Sequence, residues 1–229
     1  MKTSIIVFPG TNREQDMAVA IKEVTGTSPE MIWHKETDIG NTDLIILPGG
    51  FSYGDYLRCG AMAAHSPIMK EVIAKAKSGT RVFGVCNGFQ MLVETKLLPG
   101  ALLHNKNLKF VCKQVNLKNE TSDSPFTSNL NDREVIRVPV AHGEGNYFAD
   151  ENTIKELEDN NRVAFRYCNE NGDVNSESNP NGSVNNIAGV YSADKKILGM
   201  MPHPENSVLD YQANKDGLSL FQGIVKGLA

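Results

Sequence analysis

Three apolar runs constrain this chain more than any other feature: SIIVF (4–8), DLIILP (43–48) and TRVFGV (80–85) are near-continuous Ile, Val, Leu and Phe, and each runs into glycine or proline. A strand buried on one face alternates apolar with polar residues, whereas a strand buried on both faces reads continuously, as in a parallel sheet covered by helices. EMIWH (30–34) makes a fourth strand. Between these runs, Met17, Ile21 and Val24 recur at helical spacing after a cap at Asn12. Ile68, Met69, Val72, Ile73 and Ala76 do so ahead of Gly79. The alternation predicts a doubly wound α/β fold with a mostly parallel central sheet flanked by helices.

After LLPG (97–100) the texture changes to extended runs, LKFVCKQVNL (108–117) and EVIRVPVAHG (134–143), that read as antiparallel and partly exposed strands. Residues 169–186, NENGDVNSESNPNGSVNN, read as a solvated loop or hairpin. KILGMMPHPE (196–205) reads as a strand entering a proline-bracketed turn, and Leu218, Phe221, Val225 and Leu228 mark a closing helix. Neither a repeat nor a linker divides the chain, so residues 1–229 are expected to form a single domain.

With 40% hydrophobic residues among 229, the chain can bury a core without staples. The net charge is −4 and no Lys or Arg run is present, which argues against nucleic acid and anionic membrane as partners. No apolar stretch approaches the roughly 20 residues of a membrane span, and MKTSIIVFPGTNRE is too short in its apolar part for a signal peptide, so a cytoplasmic location is expected. Cys59, Cys86, Cys112 and Cys168 are scattered without CxxC spacing, and neither a disulfide scaffold nor a metal site is expected.

Cys86 stands apart from the other three. In VFGVCNGFQML (82–92) it lies between Gly84 and Gly88 where a strand gives way to a helix beginning at about Asn87. Small flanking residues relieve the crowding of a sharp strand-to-helix turn and leave the central side chain projecting at the carboxyl end of the sheet. The positive end of the helix dipole favours thiolate there. Glycines also serve plain strand-to-helix packing, so the elbow alone leaves Cys86 open between a structural thiol and a nucleophile.

A base decides between them. Of His34, His65, His104, His142 and His203, only His203 is held between two prolines, in MPHPE (201–205). In an extended segment residues two apart face the same side, which brings Glu205 to His203 as an orienting carboxylate. His142 is left outside this set.

The elbow cysteine, the downstream His-x-Glu and the early Gly49-Gly50 turn resemble the class I (triad) glutamine amidotransferases. FPGTNRE (8–14), LPGGFSYGDYLRCGA (47–61), CNGFQ (86–90), VPVAHGEGNY (138–147), NPNGS (179–183) and MPHPE resemble, in that order, the glutaminase subunits of phosphoribosylformylglycinamidine synthases. Lys96 is the departure noted, standing where many relatives carry glycine after the elbow helix.

The resemblance implies a flavodoxin-like core with an additional smaller antiparallel sheet. It implies Cys86 as nucleophile, His203 as general base and acid, and Glu205 as its partner. The N–H groups of Asn87 and Gly50 would form the oxyanion hole, and Gln90, Gly143, Glu144 and Gly145 would contact glutamine. It implies no cofactor on this chain, which carries no GxxxxGK[ST] loop; ATP and magnesium would belong to a large synthetase subunit, joined by a small third subunit. The loop bearing Tyr53, Asp55, Tyr56 and Arg58 would either meet that partner or form an internally bonded wall of the site. A stand-alone elbow-cysteine hydrolase or stress protein is the competing reading, but it would draw its acid from an early strand.

Overall fold

The computed structural model describes residues 1–227. The first half alternates β1 (Thr3–Val7), α1 (Glu14–Thr25), β2 (Glu30–Trp33), β3 (Leu44–Leu47), α2 (Ala61–Ala64), α3 (Pro67–Lys77), β4 (Arg81–Val85) and α4 (Asn87–Glu94). β5 (Ala101–Leu103), β6 (Val111–Asn119), β7 (Val135–His142), β8 (Asn146–Phe148), α5 (Glu151–Asp159) and β9 (Val163–Cys168) follow. β10 (Ile187–Tyr191), β11 (Ile197–Met200) and α6 (Asp216–Lys226) complete the described chain.

Nine strands form one sheet in the order β2-β1-β3-β4-β11-β10-β9-β6-β7, and β5 pairs with β8 in a separate two-stranded sheet. Strands β2 to β11 along that order are parallel, and the pairings from β11 onward are antiparallel. The α/β class stands as expected, with one refinement. The long antiparallel strands extend the main sheet instead of forming the smaller one. All four residues of β3 and four of five in β1 are buried, because helices cover both faces, whereas β2 at the sheet edge exposes Glu30, Met31 and Trp33.

Strand order reverses between β1 and β3, and at such a switch point the loops after the two strands part to leave a crevice at their carboxyl ends. Here the loops hold each other: Phe51 N–H donates to the Gly10 carbonyl at 2.9 Å, and Asn12 N–H to the Gly49 carbonyl at 3.4 Å. Asn12 is thus used in the loop and does not cap α1, whose N-cap is Arg13 without a side-chain capping bond.

The Asn- and Ser-rich segment 169–186 departs from a fully solvated loop, for Asn181 and Ser183 are buried. The closing helix is present with its stripe shifted by a residue. Leu220, Phe221 and Ile224 are buried, Leu218 and Val225 are half-buried, and Leu228 lies outside the described residues.

Lys96 ends α4 in the left-handed region (φ 61°), its N–H donating to the Val93 carbonyl. A side chain with a Cβ is strained there and glycine is not, which is the physical reason for expecting glycine at this position. Lys96→Gly is expected to stabilise the fold by about 0.5–1 kcal/mol, read as a higher urea midpoint at unchanged m-value.

Candidate active site

The site grows from the ends of three adjacent parallel strands. β4 lies between β3 and β11, with Gly84 opposite both Leu47 and Gly199, and Val85 opposite Met200. The segments that follow these strands, Gly49-Gly50, Cys86 and His203, therefore emerge side by side. Cys86 N–H donates to the Met200 carbonyl at 2.8 Å, tying the elbow to the strand that delivers the histidine.

Cys86 has φ 52° and ψ −107°, a conformation that costs a non-glycine residue on the order of 1–3 kcal/mol and persists only under surrounding constraint. The constraint is visible at the glycines. A Cβ on Gly88 would lie 1.9 Å from the Leu47 carbonyl oxygen, and one on Gly84 would lie 2.8 Å from the Gly88 carbonyl oxygen. Helix α4 is thus seated directly on the backbone of β3, and the turn between β4 and α4 has no room to relax.

His203 and Glu205 are buried, with Nδ1 of the imidazole 2.7 Å from Oε1 of the carboxylate. The pairing is as expected but its route differs: Pro204–Asn206 is one turn of 3₁₀ helix, not extended chain, and this turn folds the carboxylate back to the ring. His203 N–H is anchored on the Pro139 carbonyl at 2.8 Å. A Cβ on Gly49 would come within 2.7 Å of His203 Cε1, so the glycine after β3 makes room for the imidazole.

Burial pushes the His203 pKa down, but the Glu205 carboxylate and then the neighbouring Cys86 sulfur overcome it and raise the value to about 10. With Nδ1 committed to Glu205, Nε2 is buried without another hydrogen-bond partner and is the nitrogen available to Cys86.

Beside this set lies a cavity of about 230 Å³. Cys86, Gly50, Gln90, Gly143 and Glu144 line it, all of them anticipated. Further lining comes from Phe51, Asp55 and Cys59 after β3, and from His104, Phe110 and His142. Gln90 has both amide ends engaged, Nε2 donating to the Glu144 carbonyl and Oε1 accepting from Asn87 Nδ2, each at 2.8 Å. It ties the cavity walls together. The Asn87 side chain also accepts from Ser52 N–H at 3.1 Å, which leaves its backbone N–H at the orphaned start of α4. The Gly50 bridge to Thr11 runs through the neighbouring Phe51 and Asn12 amides, so the Gly50 N–H is not spent in it.

Gly145 stands behind the wall instead of in it. Its N–H donates to Asn105 Oδ1 at 3.0 Å and its carbonyl accepts from Asn181 Nδ2 at 2.8 Å. A Cβ there would meet His142 Nδ1 at 2.5 Å. His142 is held between Asn105 Oδ1 at 3.1 Å and Asn181 Nδ2 at 3.4 Å. Burial lowers its pKa to about 4; its own backbone opposes this, and the His203 charge adds to it. A neutral, fully bonded imidazole is poorly suited to replace His203. NPNGS is therefore the brace of this wall.

The Tyr53–Arg58 loop divides its duties. Tyr53 OH bonds His34 Nδ1 at 2.7 Å and Ser66 Oγ at 2.8 Å, and Asp55 lines the cavity. Tyr56 is exposed, and Arg58 pairs with Glu94 at 2.6 Å. Of the remaining cysteines, Cys59 is buried in the cavity wall with its thiol pKa pushed up by burial, Cys168 is buried, and Cys112 is exposed. Cys59 lies within the LPGGFSYGDYLRCGA run but carries no expected site role there, and His104 and Phe110 lie outside the motifs; they meet the site only through folding.

The sequence signature of the CobB/CobQ-like glutamine amidotransferase domain matches residues 1–222. The chain belongs to this family of glutamine amidotransferases. Within it, the chain is 56% identical over 229 residues to the phosphoribosylformylglycinamidine synthase subunit PurQ of Nitrobacter hamburgensis, covering 100% of this chain and 98% of that one. It is 50% identical to the same subunit of Thermosynechococcus vestitus, over 98% of this chain and 96% of that one. A chain in the structure of PurLQS from Thermotoga maritima superposes with a TM-score of 0.86 at 39% identity, covering 100% of this chain and 99% of its own.

The electrostatics give a direct test. His203, whose folded pKa lies above the ordinary 6.5, stabilises the fold fully below about pH 6.5, and this contribution is lost as pH rises through about 10. At pH 8, ¹⁵N-histidine NMR is expected to show His203 as imidazolium and His142 as neutral. Glu205→Gln should bring the His203 titration down towards neutrality; an unmoved titration would show that Glu205 does not hold the charge.

Proposed function

We propose that this chain is the glutaminase subunit of a phosphoribosylformylglycinamidine synthase. It hydrolyses glutamine through Cys86, His203 and Glu205 and supplies the ammonia to a separate synthetase subunit in purine biosynthesis. The observation that carries the mechanism is the buried His203–Glu205 pair, 2.7 Å apart, beside a cysteine held on a strained elbow.

The Cys86 thiolate attacks the side-chain amide carbon of glutamine and forms a carbon–sulfur bond, with negative charge moving to the oxygen. The Asn87 and Gly50 N–H groups receive that oxyanion. His203 gives the Nε2 proton to the amide nitrogen as the carbon–nitrogen bond breaks, releasing ammonia and leaving a glutamyl thioester. Neutral His203 then takes a proton from water. The hydroxide adds to the thioester carbon, the carbon–sulfur bond breaks, and glutamate leaves with thiolate and imidazolium restored. Glu205 holds the imidazole orientation and stabilises its charge throughout. Gly143 and Glu144 contact the amino-acid end of the substrate, while Gln90 positions Glu144 and Asn87.

The synthetase chemistry lies elsewhere. ATP and magnesium act on the large subunit, a small third subunit completes the assembly, and the complex works in the cytoplasm. Among the described residues no helix is long and apolar enough to cross a membrane.

Glutamate release is expected to be weak in the isolated chain and to rise when the synthetase subunit is added. Cys86→Ala should abolish release, by at least on the order of 10³-fold, while synthesis from ammonium by the same complex continues. Unchanged glutamate release by Cys86→Ala would sink the mechanism, and loss of ammonium-driven synthesis would show that Cys86 is not specific to the glutaminase half-reaction.

A further inference from the structure

We propose that Asp55 receives the α-ammonium group of free glutamine, so that the cavity selects the free amino acid over analogues that lack this charge. The inference rests on the glutaminase reading and adds to it the source of substrate selectivity.

The cavity has the size of an amino acid and a one-sided charge. Its volume of about 230 Å³ lies below the range of sites for larger ligands. Two carboxylates, Asp55 and Glu144, line it, and among the described residues no Lys or Arg does. His142, the buried imidazole in the wall, is neutral near pH 7. A zwitterionic substrate entering such a space must find its cation partner on one of the two carboxylates.

Glu144 is already engaged. Its Oε2 accepts from Cys59 N–H at 3.4 Å, and its Oε1 lies 3.4 Å from His104 Nδ1. Asp55 differs, because it lines the cavity while only half-buried, and its inner oxygen, Oδ1, has no hydrogen-bond partner. A buried carboxylate oxygen without a donor is costly, and an ammonium brings three charge-assisted donors. Burial raises the Asp55 pKa and the Glu144 charge adds to this, against a hydrogen bond from the Cys59 thiol. A bound cation would relieve the repulsion between the two carboxylates.

The backbone presents Asp55 at some expense. Tyr53, Asp55 and Leu57 all adopt positive φ (55°, 55° and 69°), the left-handed region that a Cβ disfavours. Tyr53, bonded to His34 and Ser66, pins the start of this bend to β2 and α3. The fixed loop thus holds the Asp55 carboxyl at the cavity wall, where, among the described residues, the Cys59 thiol is the one group that bonds it.

The test compares glutamine with glutaramate, the same side-chain amide without the α-amino group, as substrates of the complex with the synthetase subunit. The ratio of kcat/KM for glutamine over glutaramate is expected to fall on the order of 10–100-fold in Asp55→Asn, mostly through the KM for glutamine. Asp55→Glu should recover part of the preference. A ratio unchanged in Asp55→Asn, with both substrates equally impaired or neither, would overturn the proposal, since damage to the loop alone does not discriminate between them. Should turnover of Asp55→Asn be too low to measure, calorimetric Kd values for glutamine on Cys86→Ala and Cys86→Ala/Asp55→Asn decide in the same way. Equal affinities overturn it, and a 10–100-fold weakening supports it. Failure of the wild-type complex to hydrolyse glutamine would instead remove the glutaminase reading itself.

Discussion

The site depends on the seat of α4 against β3, where Gly88 meets the Leu47 carbonyl so closely that no Cβ fits between them. That contact forces the chain to reverse within one residue after β4, and the residue at the reversal, Cys86, takes up a backbone conformation it would not adopt alone. Everything placed around it follows from register. With β3 and β11 paired to either side of β4, the Gly49-Gly50 turn and His203 leave the sheet next to Cys86. The sheet is thus a ruler that sets three sequence-distant segments at adjacent positions, and packing holds Cys86 at the turn between them.

Charge placement then separates two histidines of similar burial. His203 has a carboxylate at 2.7 Å and becomes more basic, whereas His142 has only amides around it and becomes less basic. The division follows from what each ring faces, since burial alone disfavours both imidazolium ions. Burial keeps His142 neutral, Asn105 and Asn181 hold its ring in place, and through Gly145 the same amides brace the wall that carries Gly143 and Glu144. The positive charge is confined to the side of the site where Cys86 lies.

The parallel half of the sheet was legible because its strands are continuous apolar runs, and the elbow because Gly84, Cys86 and Gly88 are neighbours in the chain. The His203–Glu205 pairing was legible as well, although the 3₁₀ turn, not an extended strand, makes it. What stayed hidden is what folding assembles. α5 is a polar nine-residue helix with Leu157 as its one buried residue, too short for a periodic signal. Asn181 lies in a stretch whose composition argues for solvent, yet it is buried because His142, Tyr167 and Gly145 all draw on its amide. Gly145 stands in the same HGEGNY run as the lining residues Gly143 and Glu144, and only the fold shows that it faces away. His104 and Phe110 reach the cavity from the turn before β6, which nothing in their immediate sequence marks.

The central claim is that Cys86 becomes covalently acylated by glutamine. Rapid acid quench of the complex during turnover, followed by mass spectrometry of its peptides, tests this most directly. The account predicts one γ-glutamyl group on the peptide that carries Cys86, accumulating before steady state and disappearing once glutamine is exhausted. A turning-over enzyme with no adduct on that peptide, or with the adduct on the peptide of Cys59 instead, would contradict it.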